Sequence, residues 1–272
     1  MLATFLAEDG AFGDITTQPL GLEEKARGRV VAKEGGRASG MRGATQVFSL
    51  LDRSVQAGGL GEGDAFQCGD TVLEVIALAP ALLSGERVAM NLLGRACGIA
   101  TRTAQWVEEM NDPSVELLDT RKTAPGLRWL DKDAVLAGGG VNHRNDLGEM
   151  VLLKENHHRL VGGITAAVWA IREVHPGVDI EVEVETVEEL IEALDLEIKR
   201  VMLDDWDEEN LAEGIRLAQE KGVYVELSGG VQRASLRRWA ALGPDGISSG
   251  ALTSSAPPID LSFQIEPFSS TS

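Results

Sequence analysis

The sequence predicts an α/β fold: an incomplete, about seven-stranded β/α barrel preceded by a mixed α+β N-terminal domain. Three observations predict it. After Pro113, short apolar runs alternate with stretches of helical periodicity, the texture of repeated βα units around a parallel sheet. Several of those runs stop just before charged or glycine-rich segments, as in LLDTRK, VLLKENH and VELSGG, which puts polar groups where barrels keep their active sites. Residues 1–110 show no such alternation, so the expected division is 1–110 for the first domain and 111–261 for the barrel, with the 262–272 tail packing on the first domain.

Taken in order, MLATFLAEDG reads as a short helix ending at the loop EDGAFGDITT, followed by a strand near 26–32, a helix near 43–51 and glycine-punctuated strands through 65–79. From Ala81 to Met110, Val88, Leu92, Leu93, Ala96, Ile99, Ala100, Ala104 and Val107 recur at helical intervals, predicting a long helix broken near Gly98 that bridges the two domains. Beyond it VELL, AVLA, MVLL, IEVEV, RVMLD, VYVEL and GISSG read as seven strands, with helices over 164–174, 187–194, 208–219 and 234–242. Seven strands rather than eight predict the incomplete barrel. Pro257, Pro258 and Pro267 keep the tail from forming a long helix, and its serine-rich end is expected to fray.

Composition narrows the partners. Asp and Glu number 43 against 25 Lys and Arg, a net charge of −18 that argues against nucleic acid or an anionic membrane. So acidic a chain, with few lysines, resembles a salt-adapted protein, hydrated in concentrated salt and self-repelling in dilute buffer. No apolar run is long enough to span a bilayer and the N-terminus lacks the pattern of a signal peptide, so the expected location is the cytoplasm. Cys68 and Cys97 fit neither a metal-ligand spacing nor a disulfide framework and read as structural.

Against that charge, Leu117 to His157 gathers Arg121, Lys122, Arg128, Lys132, His143, Arg144 and Lys154, a cationic island suited to a multiply anionic ligand. On a barrel the groups beyond the strands form a ring: Asp119 to Lys122, Lys154, Glu183, Asp204, Ser228 to Gly230, and Ser248 to Gly250. Ser228, Gly229 and Gly230, with Ser248, Ser249 and Gly250, suit a phosphate, or are simply tight turns. Glu183 and Asp204 suit a hydrated Mg²⁺ or ribose hydroxyls, while the alternation of Glu181, Glu183 and Glu185 also reads as one solvated strand edge. Gly138, Gly139 and Gly140 let the backbone turn to present His143 and Arg144 to a carboxylate. His157 and His158 read as a strand pair pointing opposite ways, with hydrogen-bonding roles, and His175 as ordinary loop.

The motifs EDGAFGDITT, ERVAMNLLGRACGIAT, LLDTRKTAPGLRWLDKDAVLAGGGVNHR, LLKENH, IEVEVET, VMLDD, VELSGG and GISSGALTSSAP, in that order, resemble the quinolinate phosphoribosyltransferases nearly end to end. The resemblance implies transfer from 5-phosphoribosyl 1-pyrophosphate to quinolinate with decarboxylation, giving nicotinate mononucleotide, pyrophosphate and CO₂ in de novo NAD biosynthesis. It implies that Arg121, Arg144, His143 and Lys154 hold the carboxylates, joined by the partner subunit's Arg87 in a homodimer or a dimer-based hexamer. Lys122 would face pyrophosphate, Glu183 and Asp204 ribose and Mg²⁺, and Ser228, Gly229, Gly230 and Gly250 the 5′-phosphate, with Ser248 beside them. Lys122, Lys154, Glu183 and Asp204 would form the catalytic set. Three positions depart from the family: Ser254 replaces a usual histidine, Asp205 an asparagine and Glu155 an aspartate. The rivals are the related protein found with molybdenum transport genes, nicotinate phosphoribosyltransferase, and a non-catalytic metabolite-binding protein. Lys154 and His157 favour quinolinate over the first.

Overall fold

Alternation of the basic Lys25, Arg27 and Arg29 with the small or apolar Ala26, Gly28 and Val30 makes Lys25–Ala32 (β1) a strand that buries Ala26, Val30 and Ala32 on one face. The computed structural model describes residues 1–268 and places β1 between two antiparallel neighbours, Thr71–Leu78 (β5) and Leu261–Pro267 (β12). Gln56–Gly59 (β3), not foreseen as a strand, completes the order β12-β1-β5-β3, and Gly36–Arg37 (β2) pairs with Ala65–Phe66 (β4). The C-terminal segment is therefore an edge strand of the first sheet as far as Pro267; the expected fraying of the last residues lies outside the described residues. Leu2–Glu8 (α1) and Met41–Leu51 (α2) accompany this sheet, α2 burying Val47 and Phe48.

Ala79–Met110 (α3) is one unbroken helix of 32 residues. The expected break at Gly98 is absent, because that glycine serves close approach instead: a Cβ there would overlap the Pro257 carbonyl oxygen. The chain forms two compact units, one of Met1–Ala104, Thr123–Gly139 and Leu252 onward, the other of Gln105–Lys122 and Gly140–Ala251. Arg128–Ala137 (α4) lies in the first unit and contains AVLA, which is helix rather than strand. Leu130, Ala134 and Val135 are buried at helical spacing there, a pattern that a four-residue apolar run cannot reveal alone.

The second unit holds six parallel strands: Glu116–Leu118 (β6), Val151–Leu153 (β7), Ile180–Val184 (β8), Arg200–Asp204 (β9), Tyr224–Ser228 (β10) and Gly246–Ser248 (β11), in the order β6-β11-β10-β9-β8-β7. Glu155–Val161 (α5), Ile164–Val174 (α6), Val187–Leu194 (α7), Glu208–Glu220 (α8) and Leu236–Ala240 (α9) intervene, and Ala251–Ser254 (α10) follows β11. The seventh position is a single parallel bridge from Val141 to Leu118, held by Asp119 N–H on Val141 O at 3.1 Å and Val141 N–H on Leu117 O at 2.8 Å. His143, two residues beyond this end of the order, meets Glu181 of β8 at 3.1 Å. Neighbouring strands lie about 4.8 Å apart, so a flat sheet would separate the two by roughly 24 Å. The sheet therefore curls into a partial barrel, of six strands rather than seven.

Candidate active site

Strand ends aim the polar side chains. Leu117 and Leu118 are buried in β6, and the chain then leaves the sheet at Asp119, fully buried, whose Oδ1 accepts the His143 backbone N–H at 2.9 Å. Thr120 Oγ1 takes the Lys122 N–H at 3.0 Å, tightening the TRK turn. Lys122 lies along Gly250, where a Cβ would collide with the lysine Cδ, so this glycine seats the lysine stem. Lys154 follows β7 as the N-cap of α5, and its Nζ pairs with Glu183 Oε2 at the end of β8.

These ends enclose a cavity of about 340 Å³. Arg121, Lys122, His143, Arg144 and Lys154 line it together with the acidic Glu183 and Asp204 and with Ser228 and Ser248. Gly229 and Gly230 follow Ser228 with φ of 82° and 57°, and a Cβ on Gly229 would collide with the Asp205 backbone nitrogen. Arg87 lies on α3 and lines two clefts of the first unit. Arg128 and Lys132 of the cationic island belong to α4.

Two features show what the cavity lacks. Arg121 Nε is buried with no hydrogen-bond partner among the described residues. Burial, and after it the charge of Arg121, hold the Arg144 guanidinium below the ordinary arginine range, while its Nη1 donates to Met150 O at 3.1 Å. Two guanidiniums lining one cavity, one with an orphaned donor, suit an anion with several acceptor oxygens.

Beneath the mouth is a layer that the sequence reading missed. Glu181 and Glu226 are fully buried, and all five residues of β8 are buried, so the glutamate alternation is no solvated edge. His143 Nε2 lies 3.1 Å from an oxygen of each, and the Arg200 guanidinium stands 3.6 Å from Glu181 and 3.7 Å from Glu226. Burial acts to lower the His143 pKa, but the two carboxylates outweigh it and raise it to about 9. Its Nδ1 accepts the Arg144 N–H, which opposes a second ring proton and favours the Nε2–H form. Burial raises the Glu226 carboxyl, against the lowering influence of His143. His143, Glu181 and Glu226 have the spacing of a metal site, but Arg200 already provides a cation to both carboxylates. A glutamate within each of two apolar strands was the available signal; topology was needed to show that they meet. Arg95 was also missed: it clamps buried Asp131 at 2.6 and 2.7 Å, and Asp131 takes the Ala124 N–H at 3.1 Å, pinning the segment after Lys122.

His157 and His158 lie on α5, not on a strand. His157 Nδ1 accepts the Lys154 N–H at 2.9 Å, a helix-start contact, and His158 is buried. Both are structural here.

The chain matches two family descriptions in tandem: Quinolinate phosphoribosyl transferase, N-terminal domain, over residues 14–97 and Quinolinate phosphoribosyl transferase, C-terminal domain, over residues 99–264. It is 41% identical over 268 residues to a probable nicotinate-nucleotide pyrophosphorylase (carboxylating) of Synechocystis, covering 97% of this chain and 91% of that one. Against the nicotinate-nucleotide pyrophosphorylase (carboxylating) of Mycobacterium leprae it is 36% identical over 272 residues, covering 96% and 94%. The solved nicotinate-nucleotide pyrophosphorylase from Francisella tularensis superposes with a TM-score of 0.91 at 35% identity, covering 97% and 94%.

Proposed function

The chain belongs to the quinolinate phosphoribosyltransferase family, and from that premise we propose that the cationic cavity at its barrel mouth is the place where quinolinate meets 5-phosphoribosyl 1-pyrophosphate. The enzyme makes nicotinate mononucleotide, pyrophosphate and CO₂ for NAD biosynthesis. The observation that carries the placement is the convergence of Arg121, Lys122, Arg144 and Lys154 on one cavity in a chain of net charge −18.

The chemistry needs those charges. The pyridine nitrogen bonds to ribose C1 as the C1–oxygen bond to pyrophosphate breaks, so two anionic molecules must be held in contact. The C2–carboxylate bond then breaks, its electron pair stays on C2 beside the new pyridinium, and a proton replaces CO₂. Arg121, Arg144 and Lys154 would neutralise the two carboxylates and Lys122 the departing pyrophosphate. Glu183 and Asp204 would orient the ribose hydroxyls. Ser228, Gly229, Gly230, Ser248 and Gly250 would cradle the 5′-phosphate; positive φ at Gly229 and Gly230, directly after the cavity-lining Ser228, is the kind of turn in which successive backbone N–H groups form an anion nest, and this supports the reading.

Glu183 and Asp204, two carboxylates on neighbouring strands of one cavity, fit a Mg²⁺ that keeps water and completes its shell with phosphate oxygens. Such an ion would offset charge on pyrophosphate. A homodimer, alone or within a hexamer, is part of the same proposal, the partner subunit's Arg87 joining the carboxylate site. The cytoplasm and a salty milieu fit the composition; no helix among the described residues is long and apolar enough to cross a membrane.

The test is incubation in molar KCl with Mg²⁺, 5-phosphoribosyl 1-pyrophosphate and quinolinate, following nicotinate mononucleotide and CO₂ together, with nicotinate in parallel. Equal release from quinolinate alone is expected. Folded protein that turns over nicotinate only, or neither substrate, overturns the assignment.

A further inference from the structure

His143 lines the mouth, yet each of its ring nitrogens is engaged by the protein itself. Nδ1 accepts the Arg144 backbone N–H at 2.8 Å, a contact only an unprotonated nitrogen makes, and this geometry outweighs the pull of the two carboxylates toward a doubly protonated ring. Nε2 lies 3.1 Å from Glu181 Oε2 and 3.1 Å from Glu226 Oε2, so its proton points into the barrel interior. The backbone is fixed as well, through the His143 N–H on Asp119. A substrate carboxylate could take a proton from this ring only by drawing Nε2 away from Glu181, its hydrogen-bond partner, and from Glu226 beside it, two carboxylates with no access to solvent. Arg144 is the next residue, and its amide rests on the ring.

We infer that His143 is a positioning residue: Glu181 and Glu226 hold its imidazole from the barrel interior, its Nδ1 fixes the backbone of Arg144, and Arg144 rather than the imidazole meets the substrate carboxylate. The resemblance had placed His143 among the direct carboxylate ligands; these contacts place it one step behind them. The inference rests on the assignment of this cavity to quinolinate.

Wild-type protein is assayed first, and folded protein without quinolinate turnover overturns that assignment itself. With turnover in hand, KM for quinolinate and kcat are compared among His143→Ala, Arg144→Ala and the double variant. His143→Ala is expected to raise KM about tenfold with a smaller change in kcat. In the Arg144→Ala background it should add less than about twofold, because the group it positions is gone. His143→Asn, whose Oδ1 can occupy the Nδ1 position, is expected to recover most of the loss. His143→Gln, which reaches the carboxylates but offers no acceptor to the Arg144 N–H, is not. A tenfold effect in both backgrounds, or glutamine rescuing better than asparagine, puts the ring on the substrate and overturns the inference. If His143→Ala does not fold, the asparagine and glutamine variants in both backgrounds give the same decision.

Discussion

The mouth and the interior of the barrel treat charge in opposite ways. At the mouth, Arg121 and Arg144 line one cavity and Arg121 Nε has no hydrogen-bond partner among the described residues. One layer deeper, the carboxylates of Glu181 and Glu226 each lie 3.1 Å from the His143 imidazole and 3.6 or 3.7 Å from the Arg200 guanidinium. At the mouth Lys154 pairs with Glu183 and Arg121 Nε is left for what binds; in the interior the charged groups face one another, although Glu181 Oε1, both Glu226 oxygens and Arg200 Nε make no hydrogen bond among the described residues. Substitutions at the mouth should therefore move kinetics, and substitutions in the interior should move stability.

Arg121→Ala tests this most severely. Loss of a multidentate carboxylate partner at a loop is expected to lower kcat/KM for quinolinate by about 10²- to 10³-fold, with the thermal midpoint shifting by less than about 2 °C. Lys154→Ala should follow with roughly 10²-fold, since Glu183 loses its ammonium and the substrate a counter-charge. A variant that loses midpoint and rate together would erase the distinction between the two layers.

Arg200→Met probes the other side. It removes the guanidinium from two buried carboxylates, and from the Tyr224 ring 3.7 Å away, and should cost about 2 kcal/mol in denaturant unfolding. The folded fraction should keep far more activity than Arg121→Ala does. An unchanged unfolding midpoint would mean that neither carboxylate relies on Arg200.

The mouth was legible in the sequence because a strand end is a local signal: an apolar run stops, and Arg121, Lys154, Glu183, Asp204 or Ser228 comes next. The interior was not, because Glu181 and Glu226 lie 45 residues apart and become neighbours of His143 only when the sheet curls. The same limit explains AVLA and Val141. A short apolar run fits a helix as well as a strand, and a single bridging residue after three glycines has no periodicity to read. The break expected at Gly98 failed for a related reason, since the glycine answers to Pro257, distant in sequence.

Salt dependence should separate the layers more gently. Exposed carboxylates repel one another in dilute buffer, whereas buried pairs are little screened. Raising KCl from dilute to molar is expected to stabilise the wild type by about 1 kcal/mol or more. Arg200→Met should gain by a similar amount, because its deficit lies where salt does not reach. Stability independent of KCl would remove the salt-adapted reading, and a deficit abolished by salt would show that the interior charges are solvated.

The smallest expected effect concerns the join between the layers. Asp205 follows β9 with φ of 57°, its N–H on Ser228 O at 3.1 Å, and the Gly229 turn packs against its backbone. A left-handed conformation is costly for most L-residues, and asparagine adopts it readily without adding a carboxylate beside Asp204. Asp205→Asn should therefore raise stability by about 0.5 kcal/mol, measured by denaturant unfolding. If the backbone turn alone matters to the mouth, kcat/KM stays within about twofold. A stabilised protein with sharply reduced turnover would instead show that the Asp205 carboxylate belongs to the mouth, and that the strain is retained for its charge.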